Sequence, residues 1–456
     1  MKKYFTTYLT SWMTLVMITS WACEDEPSVN PTDSEMAGIM TGEQAGEAAG
    51  EQAGEAAGEQ AGEVAGEQAG EVAGEQAGES YIPPTLGPND PPPASGRWAE
   101  YLPGGDTICS RGGEYRFYVR GGDPNKVIVD FEGGGACWDA FTCSIADSIF
   151  KDRVRPIADF TDALENQGLD GLYTNHRDDD PFKDWTLIHI PYCTGDIHWG
   201  NKTQTYREDL VIEHKGFVNV QSVFTWLSNH YTAPNEFFVT GCSAGAYGAA
   251  MHSAYLADLY PMSKMSVIAD SGAGIITQDF LEMSLPNWDA ETNIPDWIEG
   301  LQRPIVELSL NDVYIEIANS LPEARFSQYT TAFDADQRFY FTAMGGDPAD
   351  WNPQMNASLT AIEAATENFR SFVAPGPMHC VIPYAFMYDR VTQSTNGEVQ
   401  LLDWMVDFVQ GELPDSARCQ GEDCYDDFVC EACLNGSDTN RYCGFCQGWP
   451  DNARFE

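Results

Sequence analysis

Residues 236–245, EFFVTGCSAG, run an apolar strand-like segment into a Gly-x-Ser-x-Gly turn and out into a helical stretch of small residues. A strand-to-helix turn this tight has no space for side chains two positions either side of the serine, and Gly241 and Gly245 stand there. The turn lifts Ser243 clear of the strand as a candidate nucleophile. The next residue, Ala244, opens the following helix, so its N–H is available to a developing oxyanion.

The same alternation of strand and helix runs through residues 110–412. The segments 126–131, 185–190, 236–240, 265–270 and 369–374 look like buried strands of a mainly parallel sheet. Helical patterns at 216–229, 244–259 and 305–320 separate several of them, and an amphipathic helix over 398–411 ends at Gly411. The expected fold class is α/β, a mainly parallel sheet flanked by helices, occupying residues 96–412.

The N-terminal part reads differently. Lys2 and Lys3 precede an uncharged stretch that ends in small residues before Cys23 and is too short and polar to favour a membrane span. Residues 1–23 are therefore an expected export signal, and the small residue before Cys23 resembles a bacterial lipoprotein cleavage site, with Cys23 lipidated. Residues 24–95 hold sixteen acidic residues and no Lys or Arg, with nine Gly-Glu-x-Ala tetrads between Gly42 and Ala77. A glycine every fourth residue costs a helix about 1 kcal/mol each and the carboxylates repel, so a disordered tether is expected there.

Net charge is −46, and removing the tether's sixteen carboxylates and the two leader lysines leaves −32 for residues 96–456. So acidic a surface excludes nucleic acid as a partner, because phosphate contacts need clustered cations.

Two further elements serve the serine. The loop Glu132-Gly133-Gly134-Gly135-Ala136 follows the strand 126–131, and its bare N–H groups can approach a substrate oxygen. No Gly-Lys-Ser/Thr ending follows, so it is not a phosphate-binding loop. Of seven histidines, His189, His230 and His252 lie in regular elements, and His176, His198 and His214 in polar loops. Only His379 follows the last strand-like run, where a general base would be delivered to Ser243. The acid that orients it should end a strand between serine and histidine. Asp334, after the penultimate strand, is best placed; Asp270 and Asp347 compete with it but read more easily as turn or capping residues.

Assembled in order, VDFEGGGACWDAFTC (129–143), IPYCTGD (190–196), VTGCSAGAYGAA (239–250), TAFDADQ (331–337) and MHC (378–380) resemble the pectin acetylesterase and Notum family of α/β-hydrolases. The resemblance spans most of residues 107–411. It implies Ser243 as nucleophile, His379 as base, Asp334 as its partner, and the N–H groups of Gly134, Gly135 and Ala244 as oxyanion hole, with no cofactor and no metal. It also implies a local disulfide between Cys137 and Cys143. Ala136 departs from the tryptophan of plant members, so the pocket beside the glycine loop is expected to differ. Pectin is a polyanion, which a folded part at −32 repels at low salt.

Thirteen cysteines less Cys23 leave twelve, an even number in an exported chain. Six crowd into the tail, residues 413–456, whose C-x2-C-x9-C-x2-C spacing can seat zinc but in an oxidising compartment is expected to form disulfides. Asp178, Asp179 and Asp180 lack the spacing of a calcium loop and read as a solvated turn.

The expected activity is that of a serine carboxylester hydrolase, exported and held at a bacterial membrane by a lipid anchor, acting on an ester such as an acetylated polysaccharide. The alternative is a catalytically silent surface lipoprotein that binds carbohydrate or a partner protein.

Overall fold

A computed structural model describes residues 82–447 and 449, apart from 167, 175–176, 305–306 and 396. The leader, Cys23, most of the tether and His176 lie outside the described residues. In chain order the strands are β1 (Thr85–Leu86), β2 (Trp98–Tyr101), β3 (Phe117–Arg120), β4 (Asp123–Phe131), β5 (Trp185–Ile190), β6 (Lys202–Arg207) and β7 (Leu210–His214). They continue as β8 (Glu236–Cys242), β9 (Lys264–Asp270), β10 (Arg325–Thr331), β11 (Phe369–Ala374), β12 (Val391–Ser394), β13 (Gly397–Gln400) and β14 (Ala417–Arg418). The helices are α1 (Ile157–Asn166), α2 (Gly216–His230), α3 (Ala244–Leu259), α4 (Gln278–Trp288), α5 (Leu310–Ser320) and α6 (Ala335–Ala343). After them come α7 (Pro348–Ala365), α8 (Leu401–Gln410) and α9 (Phe428–Asn435).

Ten strands form one sheet in the order β1-β2-β3-β5-β4-β8-β9-β10-β11-β14. From β5 to β14 every pairing is parallel, while β3 runs antiparallel to both β2 and β5. The central strands are buried along nearly their whole length, and all but β10, whose RFSQYTT is mostly polar, read as predominantly apolar runs. Parallel pairing places the ends of β4, β8, β9, β10 and β11 on one edge, and the candidate residues lie in the turns after them.

Strand pairing starts at Thr85, ahead of the boundary expected at residue 95, because Thr85–Leu86 add in parallel to β2 and the Tyr101 hydroxyl donates to the Pro91 carbonyl. The helix expected over 305–320 begins only at Leu310, where Ser309 and Asp312 form a capping box. Residues 397–400 pair with β12 as a hairpin, so the final amphipathic helix starts at Leu401; it ends at Gly411, which takes the left-handed conformation.

All twelve cysteines of the described chain are paired. Cys109 joins Cys193, Cys137 joins Cys143 and Cys242 joins Cys380; in the tail Cys419 joins Cys424, Cys430 joins Cys446 and Cys433 joins Cys443. The four cysteines with zinc-like spacing are thus consumed as two disulfides. The tail does not hang free. Its β14 pairs with β11, Tyr425 and Trp449 pack on Phe333, and Tyr442 packs on Tyr384 and Phe386. A fully buried ion pair at 3.0 Å, Arg390 Nη1 to Asp427, closes the contact.

Candidate active site

The turn after β8 puts Ser243 at φ 59°, ψ −121°, a conformation that side-chain-bearing residues avoid. Its neighbours permit this only as glycines. A Cβ on Gly245 would lie 1.9 Å from the Phe131 carbonyl oxygen, and one on Gly241 would lie 2.4 Å from that of Gly245. Ser243 N–H donates to the Asp270 carbonyl at 2.8 Å, which pins the turn to the end of β9.

The glycine loop lies directly against this turn, since a Cβ on Gly133 would approach the Cys242 carbonyl oxygen to 2.4 Å. Three contacts hold the loop. The Glu132 carboxylate accepts from the Tyr192 N–H at 2.9 Å and from Lys151 Nζ at 2.5 Å, and Lys151 N–H donates to the Gly134 carbonyl at 2.9 Å. Burial alone would raise the Glu132 carboxyl, but Lys151 and the Tyr192 amide hold it below the ordinary range. Ala244 is the first residue of α3, so its N–H has no helical acceptor. Gly135, Ala244, Ser243 and His379 line one cavity.

His379 sits in the turn after β11, and its Nδ1 lies 2.8 Å from Asp334 Oδ1 and 3.0 Å from Oδ2. Asp334, fully buried, accepts also from the backbone N–H and the side-chain amide of Gln337, both at 2.9 Å. Backbone bonds stitch the two turns together: Phe333 N–H to the Gly376 carbonyl and Ala335 N–H to that of Pro377. The Cys242–Cys380 disulfide ties the residue before Ser243 to the residue after His379.

Burial by itself lowers the His379 imidazole, but Asp334 and then Asp336 outweigh it and push it up to about 9. Asp336 is the residue that sequence reading missed. Its carboxylate lies 3.8 Å from His379 Nε2, on the ring edge away from Asp334. The signal available was the Asp-x-Asp spacing after β10, where the first carboxylate caps α6 and the second lies in its first turn.

The competing acids are elsewhere. Asp270 is fully buried and accepts from the N–H groups of Val381 and Ile382 at 2.8 and 2.9 Å, so it supports the histidine turn from beneath rather than meeting the ring. Asp347 is exposed and caps α7 through the Ala349 N–H. The other described histidines have structural partners. His189 pairs with Asp130 at 2.5 Å, His198 with the Glu132 carbonyl, His214 with that of Thr194, His230 with that of Trp226, and His252 with that of His198. Burial pushes His198 down to about 4, and His214 and His252 to about 3, so these rings stay neutral.

The cavity over Ser243 is small, about 60 Å³, and its walls are apolar: Ala136, Ile197, Phe280, Leu310 and Met344. A phenolic hydroxyl from Tyr340 crosses behind the glycine loop to the Ile149 carbonyl at 2.5 Å.

Residues 105–285 match the family model described as Pectinacetylesterase, a segment that contains the glycine loop, Ser243 and Asp270. No curated protein matches the chain. Among solved structures, the Wnt deacylase Notum from Drosophila is similar at 16% identity, with a TM-score of 0.51, over 68% of this chain and 93% of that one. Residues 105–285, which span the serine turn, are thus similar to the pectin acetylesterase family, the fold around them is shared with Notum, and the family match supports a carboxylic ester hydrolase.

Proposed function

We propose that the chain hydrolyses short-acyl esters through an acyl-enzyme, with Ser243 as nucleophile, His379 as general base and Asp334 as the group that holds the imidazole. The observation that carries this reading is the bond from His379 Nδ1 to the buried Asp334 at 2.8 Å, with the ring lining the same cavity as Ser243. Asp334 fixes the tautomer with the proton on Nδ1, leaving Nε2 free to accept. The Ser243 hydroxyl attacks the carbonyl carbon and its proton passes to Nε2; the N–H groups of Gly134, Gly135 and Ala244 stabilise the oxyanion. Collapse expels the alcohol, which takes the proton from Nε2. Water then attacks the acyl-serine with His379 again as base, and the carboxylic acid departs.

Acyl length follows from space. A cavity of about 60 Å³ holds on the order of a few water-sized groups, enough for an acetyl group and not for a long chain. Notum is titled a Wnt deacylase; the small cavity here favours acetyl over a fatty acyl group. The six disulfides suit an oxidising compartment, and an exported, Cys23-anchored protein is the localisation that the leader supports.

The test is hydrolysis of an ester series from acetyl to palmitoyl by wild-type protein and Ser243→Ala. Turnover confined to short esters and lost by orders of magnitude in the variant is expected; equal turnover by the variant refutes the assignment.

A further inference from the structure

A second and larger opening adjoins the catalytic cavity. It measures about 400 Å³ and lies between the loop that leads into α4, the start of α5 and one face of α7. The two spaces share Ile275, Ile276 and Leu310 as a common wall. The loop 271–277 runs from the end of β9 past both, and Gly274 N–H reaches the hydroxyl of Tyr247, itself part of the catalytic cavity, at 3.3 Å.

Its chemistry differs from that of the acyl cavity. Gln278, Ser309, Asn311, Gln354 and Ser358 bring amide and hydroxyl groups to the lining, interleaved with apolar side chains such as Leu281 and Leu308. None of the lining residues is charged, in a chain where 21% of residues are. Ser358 donates to Asn311 Oδ1 at 2.7 Å, which fixes that amide and leaves its N–H₂ group to donate outward. Gln354, Ala357 and Ala361 form an exposed stripe along α7, so the opening is a groove wet on one side.

Charges at the margin are acidic or already paired. Glu282 accepts from Gln278 Nε2 at 3.2 Å, and Asp312 is engaged by Ser309 and by Arg303 at 3.3 Å. A wet groove would leave a long acyl chain half in water, against the hydrophobic effect. A polyanion would meet the Glu282 carboxylate, which only a neutral amide engages, with −32 on residues 96–456 behind it. Neutral rings that carry hydroxyls on their edges and C–H groups on their faces match a lining of fixed amides and aliphatic side chains.

We propose that this groove is a subsite for the uncharged, hydroxyl-rich part of the ester, a neutral glycan chain, lying next to the acyl cavity across the Ile275, Ile276 and Leu310 wall. The proposal rests on the ester-hydrolase reading for its place in catalysis, but binding can be measured without turnover. Ala357→Trp fills the groove from the exposed face of α7, away from Ser243 and His379.

The experiment has two arms. In the first, Ser243→Ala protein, with and without Ala357→Trp, is titrated with neutral hexasaccharides (xylo-, manno- and cello-hexaose) and with hexagalacturonate at fixed ionic strength. Saturable binding of at least one neutral oligomer is expected, weakened tenfold or more by Ala357→Trp, with hexagalacturonate binding at least tenfold more weakly. In the second arm, with Ser243 intact, Ala357→Trp should leave kcat/KM for a small acetyl ester unchanged and raise KM for acetylated neutral polysaccharide at similar kcat. Failure of every neutral oligomer to bind, binding indifferent to Ala357→Trp, or tighter binding of hexagalacturonate overturns the subsite. Loss of small-ester turnover in the wild type strikes the hydrolase reading instead, and a milder substitution, Ala361→Leu, checks that any loss in Ala357→Trp comes from filling the groove and not from misfolding.

Discussion

Asp336→Asn removes a carboxylate 3.8 Å from His379 Nε2 while keeping its shape, and the effect should be on pH dependence. Unit charges about 4 Å apart interact by about 1 kcal/mol in water and about 4 kcal/mol at an effective dielectric of 20. The Asp336 side chain is 34% exposed, so solvent screening places its share toward the lower end, about 1–2 kcal/mol. That is about one pH unit. The imidazole faces Asp334, Asp336 and the deeper Asp270, with Arg338 facing Asp334 from α6, and sits at about 9. Only neutral imidazole can take the serine proton, so kcat/KM falls as pH drops through that value. Loss of Asp336 lowers the histidine pKa, moving the acid limb about one unit toward lower pH and raising kcat/KM at pH 7 by up to about tenfold. The assay is hydrolysis of 4-methylumbelliferyl acetate from pH 5 to 9.5 at constant ionic strength, corrected for spontaneous hydrolysis. An acid limb that stays in place or moves upward refutes the electrostatic role of Asp336.

Other consequences follow from the supporting contacts. Replacing Cys242 and Cys380 together by serine unties the two catalytic turns, and kcat for a small ester should fall at least tenfold while circular dichroism stays native; unchanged kcat would mean the backbone bonds suffice. Asp427→Ala leaves Arg390 charged and unpaired inside the protein and removes the cap of α9, so stability should fall by about 3–5 kcal/mol in a denaturant titration. A loss under 1 kcal/mol there would show that the tail contributes little to the fold. Asp334→Asn should cost far more ester turnover than Asp347→Asn, because only Asp334 meets the ring; the reverse order would unseat it as the orienting acid.

Much of this arrangement is legible in one dimension because its constraints are local. The Gly-x-Ser-x-Gly spacing shows within five residues, although the carbonyl that Gly245 must clear belongs to Phe131 on the neighbouring strand, and β5 and β11 are mostly apolar because both faces are covered. His379 and Asp334 follow from their places after β11 and β10. What escaped depends on side chains meeting across the fold. Asp336 matters through a distance to a ring 43 positions later in the chain, and the Cys109–Cys193 pairing closes a separation of 84 residues that no spacing rule predicts. Helix α7 carries Pro348 and Pro353, a residue type disfavoured in helix interiors, although the first occupies the opening turn where no amide is needed. Strands β2 and β3 are only four residues each, too short to show alternation, and one of them buries Arg120.

The most direct measurement is covalent trapping with a short alkyl fluorophosphonate, followed by peptide mass spectrometry of the labelled protein. Stoichiometric phosphonylation of Ser243, lost in Ser243→Ala and slowed at least a hundredfold in His379→Ala, is the predicted result. Ester hydrolysis that continues in a protein whose Ser243 carries no label would contradict the account.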